Sequence, residues 1–75
     1  MDLKEVVAVN LRRLRHAKNM TQEELADRVG LSARYVGKVE QGVASPTVTV
    51  LGKLATALHV EAAVLVTRIK RGGAG

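Results

Sequence analysis

The chain contains no cysteine, tryptophan or phenylalanine, only one proline, and a single aromatic residue, Tyr35. Without a thiol there is no disulfide scaffold, cysteine zinc ribbon, iron–sulfur site or thiolate nucleophile, so stability has to come from packing. One aromatic ring is too few for proteins that stack successive bases on rows of Phe, Tyr or Trp; if a nucleic acid is the partner, duplex DNA is favoured. No uninterrupted apolar run approaches the ~18 residues of a membrane span, and the opening residues, Met1 to Glu5, lack a basic stretch leading into an apolar one. A soluble, cytoplasmic chain with no membrane partner is therefore expected.

What is present suits one small core. At 75 residues a folded chain buries only about 60% of the surface its unfolded form exposes, which leaves no room for a second domain or a deep catalytic cleft. Hydrophobic residues make up 47% and charged residues 25%, a globular balance. The 12 Lys and Arg against 7 Asp and Glu give a formal charge of +5, which favours a polyanionic partner.

Helical periodicity runs through most of the chain. Leu3, Val7, Leu11 and Leu14 fall on one stripe of a first helix, with Lys4, Glu5, Asn10, Arg12, Arg13, Arg15 and Lys18 on its other faces. Asp2 with Glu5 forms a capping-box pattern, and Asn19 suits a left-handed stop. Thr21 with Glu24 repeats the capping box before a short helix whose inward residues are Leu25, Ala26 and Val29 and whose stop is Gly30. Ser32 caps a third helix, with Val36 and Val39 inward and Gly42 at its end. Pro46 and Thr47 lead into a fourth, carrying Leu51, Leu54, Ala55 and Leu58. His59 stands where Gly is commoner. Residues 61–69 place Ala62, Leu65, Val66 and Ile69 at helical spacing, and helix is preferred there to a short strand despite the β-branched run Val64 to Thr67. The expectation is an all-α, five-helix domain over 1–69, with a flexible basic and Gly-rich tail at 70–75. Its core is read as Val7, Leu11, Leu14, Leu25, Ala26, Val29, Val36, Val39, Leu51, Leu54, Ala55 and Leu58.

Enzyme signatures fail in turn. Gly52-Lys53 is followed by Leu54 and lacks the upstream glycine of a phosphate loop. His16 and His59 are far apart, and neither has a helical metal-ligating partner. Glu23, Glu24 and Asp27 at the start of a helix complement its dipole and stay solvated. No catalytic residue, metal, cofactor or small-molecule ligand is expected.

Two short helices joined by a very tight turn, at residues 22–41, form an arrangement that lets the second project from the surface. The segments Asn10 to Arg15, Thr21 to Ala26, Val29 to Ser32, Val39 to Gly42, Ser45 to Thr47 and Lys53 to Leu58 resemble the Cro and CI repressor family, also called the XRE family, of helix-turn-helix proteins. The likeness covers about residues 6–66. It implies a transcription regulator, a repressor or controller, whose third helix lies in the major groove of a duplex operator.

Position by position, the resemblance puts Ser32, Ala33, Arg34 and Lys38 at base-facing sites, with a guanine-containing half-site the natural partner of Arg and Lys. Solvated side chains, or contacts with phosphate alone, are the competing reading of Arg34 and Lys38. Gln22 matches a phosphate-binding position, and Arg12 and Arg15 are further phosphate candidates. Arg15 and Glu40 match an ion pair between helices one and three. The loop of Val43, Ala44 and Ser45 departs from many relatives in carrying no basic residue. A single reading helix specifies too few base pairs to mark one genomic site, so a homodimer on an inverted-repeat operator is expected. Val64, Leu65, Val66 and Ile69, with Val6 and Val9 off the core stripe of helix one, are the candidate interface residues. The rival reading is a protein-interaction module such as the antitoxin of a toxin–antitoxin pair. Tight binding to a duplex by the isolated protein separates the two.

Overall fold

The computed structural model describes residues 2–69, so the tail expected at 70–75 lies outside the described residues. Five helices follow in chain order: α1 (Leu3–Ala17), α2 (Gln22–Val29), α3 (Ala33–Glu40), α4 (Val48–Ala57) and α5 (Ala62–Leu65). There is no strand among the described residues, and no helix is long and apolar enough to cross a membrane.

Local chemistry sets the boundaries. At the start of α1 the Asp2 carboxylate accepts from the Glu5 N–H at 2.9 Å while the Glu5 carboxylate accepts from the Asp2 N–H at 3.1 Å. Thr21 and Glu24 close the same reciprocal box on α2, at 3.0 and 2.8 Å. Each box satisfies two backbone donors that a helix N-terminus otherwise leaves without partners. Ser32 and Thr47 cap α3 and α4 by accepting from Tyr35 and Val50 N–H groups. Left-handed residues end the elements: Asn19 (φ 55°) after α1, Gly30 (φ 72°) after α2, Gly42 (φ 74°) after α3 and His59 (φ 57°) after α4.

Leu11, Leu25, Val36, Val39, Leu54, Leu58 and Leu65 are buried essentially completely and form the centre of the core. Helix α1 packs on both α3 and α5, α2 on α3 and α4, and α4 on α5. A helix held between two neighbours must bury more than one stripe. Val6 and Ala8 are therefore buried beside Val7, where Val6 had been expected to lie free. Leu3, read on the inward stripe, sits in the first turn beyond the reach of the core and is exposed, while Leu51 is only half-buried.

Asn10 is the largest departure from the sequence reading. Placed among the polar faces of α1 by pattern, it is 1% exposed. Its Nδ2 lies 3.1, 3.0 and 2.9 Å from the carbonyl oxygens of Val64, Leu65 and Thr67, three acceptors that share its two hydrogens. The first two are acceptors that a longer α5 would offer to its own next turn. Thr67 Oγ1 also donates back to the Ala63 carbonyl, a local bond that competes with helix continuation. The helix expected over 61–69 consequently stops at Leu65.

Leu54→Ala is expected to lower stability by about 2–5 kcal/mol, the range for truncating a fully buried leucine. Asn10→Ala should cost about 1–3 kcal/mol by stranding buried carbonyls. Urea unfolding followed by circular dichroism measures both, and an unchanged midpoint in either variant contradicts the packing described.

Candidate nucleic-acid interface

Gly30 reverses the chain in the left-handed region, and its N–H and that of Leu31 both return to the Ala26 carbonyl. Leu31 packs partly on the core, and Ser32 caps α3 two residues after Gly30. Val36 and Val39 anchor the inner side of α3. Ser32, Arg34, Lys38 and Gln41 are exposed. Arg34, Lys38 and Gln41 follow i, i+4, i+7 and so share one outward face of the helix and the residue after it. Ala33 is half-buried against the core and offers only part of its methyl surface.

The last residue of α3 carries the central contact. Arg15 donates from Nε to Glu40 Oε2 at 2.6 Å and from Nη2 to Oε1 at 2.9 Å, a two-pronged charge-assisted pair. Gln22 Nε2, at the first position of α2, donates to the same Oε1 at 3.1 Å. Arg12 Nη1 donates to the Glu40 backbone carbonyl at 3.0 Å, satisfying one of the carbonyls left open at the end of α3. Side chains from α1 and α2 therefore converge on one residue of α3. The Gln22 amide also lies across Gly37, where an added Cβ would stand 3.4 Å from Gln22 Oε1.

The sequence reading also proposed Arg15 as a phosphate contact, but its guanidinium is turned inward. The residue is 8% exposed. Beyond the two bonds to Glu40, Nη1 donates to the Met20 carbonyl at 2.6 Å and Nη2 lies 3.2 Å from His16 Nε2. Of the five N–H donors of an arginine, one on Nη1 is left uncommitted. Arg15 is a brace, and the exposed Arg12, Arg34 and Lys38 carry the cationic surface. The parts of the network invisible to pattern reading are backbone acceptors, Met20 and Glu40, which carry no side-chain signature.

Burial pushes the Glu40 carboxyl upward. Hydrogen bonds from Arg15 and Gln22, with the Arg15 charge, outweigh this and hold it below the ordinary carboxylate range. The hydrogen bond to Glu40 is likewise the main reason that Arg15 holds its proton more tightly than usual, against the opposing effect of burial. A depressed carboxyl pKa stabilises the fold fully above the unfolded glutamate value of about 4.3 and loses that contribution as pH falls from there through the folded value.

Glu40→Gln should therefore flatten the acid side of the stability curve below about pH 4, measured by urea midpoints across pH. An acid limb identical to that of the unaltered protein excludes Glu40 as its source. Removing either Arg15 or Glu40 leaves its partner buried without a counter-charge, a loss of about 3–5 kcal/mol. A double-mutant cycle should show coupling above about 0.5 kcal/mol; additive single effects would mean the two charges act independently.

The comparisons agree with this geometry. The helix-turn-helix family matches residues 11–65. An uncharacterized HTH-type transcriptional regulator, y4dJ of Sinorhizobium fredii, is 45% identical over 67 residues, spanning 89% of this chain and 87% of that protein. The control protein C.SmaI of Serratia marcescens is 41% identical, spanning 91% of this chain and 81% of that one. Among solved structures, the restriction-modification controller protein C.AhdI of Aeromonas hydrophila superimposes with a TM-score of 0.80 at 42% identity, over 83% of this chain and 94% of that one. With its two short helices, its left-handed Gly30 turn and its braced third helix, the chain belongs to the helix-turn-helix family of the XRE, or Cro and CI repressor, type.

Proposed function

We propose that the chain is a DNA-binding transcriptional regulator of the cytoplasm, a repressor or controller, that acts by occupying a duplex operator. The observation that carries this reading is the outward face of α3. Arg34 and Lys38 stand exposed on a helix held at its far end by Arg15, Arg12 and Gln22. Arg and Lys at such positions pair with the two acceptors on the major-groove edge of guanine. Ser32 and Ala33, at the start of α3, come next to the bases when the N-terminal end of the reading helix enters the groove. Gln22 and Arg12 flank that face and are assigned to the phosphate backbone, where contacts set register without reading sequence. The names of C.SmaI, a control protein, and C.AhdI, a restriction-modification controller, support a controller role.

Arg34→Ala and Lys38→Ala should each lose about 1–3 kcal/mol on the cognate duplex and far less on a random one. Gln22→Ala should weaken both about equally, by fluorescence anisotropy at fixed salt. Equal losses on both duplexes for Arg34 and Lys38 would reject their base-reading roles.

A homodimer doubles the site and makes the operator an inverted repeat, with reading helices about 34 Å apart. Leu65 and Val6 are withdrawn from the interface candidates, because both are buried in the core of the single chain. The surviving apolar surface is half-buried Val9, Val64 and Val66 with exposed Ile69. Leu3, exposed at the start of α1, borders with Val66 a cleft of about 150 Å³. Val66→Asp and Ile69→Asp are expected to dissociate the dimer and weaken operator binding while the helical spectrum stays intact. Sedimentation showing an unaltered protein that is monomeric at tens of micromolar, with one copy per operator, would refute the dimer.

A further inference from the structure

At the opposite end of α2 from Gln22, a groove of about 610 Å³ lies between that helix and α4. Its volume falls in the range of small-molecule sites, about 300–1,000 Å³. Val29 and Ala57 supply an apolar floor, Thr49 and Thr56 supply hydroxyls, and Arg28 and Lys53 supply a cation from each helix. Neither cation is in a salt bridge among the described residues. The Glu24 carboxylate, one turn before Arg28, accepts from the Thr21 N–H through Oε1 and also feels the Arg28 charge, without forming a salt bridge to it.

Gly52 is the independent observation. It lines the groove in the middle of α4, where glycine is disfavoured relative to alanine. An added Cβ there would meet nothing within 4 Å. Nothing in the packing of the chain itself calls for the missing side chain. What its absence creates is open volume in the groove, bordered by helix backbone and by the two threonines.

We propose that this groove binds a small organic anion: an apolar body against Val29, Gly52 and Ala57, with a carboxylate, phosphate or sulfonate held between Arg28 and Lys53 and hydrogen-bonded by Thr49. Thr56 Oγ1 spends its hydrogen on the Gly52 carbonyl, so Thr49 is the hydroxyl free to donate to the anion. The site is separate from the outward face of α3, and its occupation does not depend on whether the chain binds DNA. An occupant bonded to both walls would tie the first helix of the helix-turn-helix to α4.

The test is a titration of isotope-labelled full-length protein with anilinonaphthalene sulfonate, and with phenyl naphthylamine, which has the same rings without the sulfonate. The amide shifts should centre on Arg28, Val29, Thr49, Gly52, Lys53 and Thr56, and the sulfonate should bind at least about tenfold more tightly than the amine. Gly52→Leu, which fills the groove without a clash at its Cβ, and the pair Arg28→Gln with Lys53→Gln should each weaken sulfonate binding about tenfold or more. No binding, equal binding of the two probes, shifts centred on another surface, or a Gly52→Leu variant that binds normally overturns the proposal. Weaker operator binding by the Arg28→Gln, Lys53→Gln variant with no anion added also overturns it, because those cations would then serve the DNA backbone.

Discussion

The carboxylate of Glu40 is the point on which the geometry of α3 depends. A buried charge is tolerated only when paired and hydrogen-bonded, and here Arg15 and Gln22 both supply bonds from different helices. Arg12 then takes up the backbone carbonyl of the same residue. The pair is a poor device for raw stability, since well-packed apolar residues of similar volume often serve a fold as well or better. Its value lies in direction: a two-pronged guanidinium–carboxylate contact has a preferred geometry, which apolar contact lacks. The same carboxylate links stability to proton concentration, because the donors that place it also favour its ionised form.

A second polar anchor works at the opposite side of α1. Asn10 reaches three carbonyls at the end of α5, so four residues of helix and the turn after them are held by one amide. An isolated four-residue helix is far below the length that persists in water by itself. Leu65, completely buried, supplies the apolar half of the attachment. The two anchors give α1 a double role: one side fixes the attitude of α3 through Arg15 and Arg12, and the other fixes α5 through Asn10.

Much of this was legible in the sequence, for identifiable reasons. Caps and stops are local chemistry, so Asp2 with Glu5, Thr21 with Glu24, Ser32, Thr47, Gly30 and Gly42 announce their elements, and even Asn19 and His59 take the left-handed conformation their positions suggested. The Arg15–Glu40 contact came from resemblance, since a pair 25 residues apart has no local signature. The misreadings share a cause in α1. Periodicity assigns one inward stripe to a helix, whereas α1 is flanked by α3 and α5, so Val6 and Asn10 are buried where the pattern placed them outside. Asn10 did carry a signal: it lies four residues after Val6 and four before Leu14, an apolar register interrupted by one amide. Leu65 failed as an interface candidate for the complementary reason, that α5 is too short to spare an apolar residue from docking itself.

The shortness of α3 explains why it needs a charged brace at all. Val36 and Val39, one helical turn apart, define a single line of buried contact. With only half-buried Ala33 and Tyr35 packing beside them, these two anchors set the depth of an eight-residue helix better than its roll. A roll would carry the exposed Arg34 and Lys38 sideways, and in the proposed base-reading role bidentate recognition of a base edge tolerates little such displacement. Glu40 follows Val39 on the same buried face, one turn beyond Val36, and is tied to both α1 and α2. A constraint placed there opposes rotation where further apolar burial along the same stripe would only deepen the seat. The ionic contact therefore adds what the small core supplies poorly, and it does so at the end of α3 away from Ser32 and Ala33, leaving the end proposed to meet the bases clear.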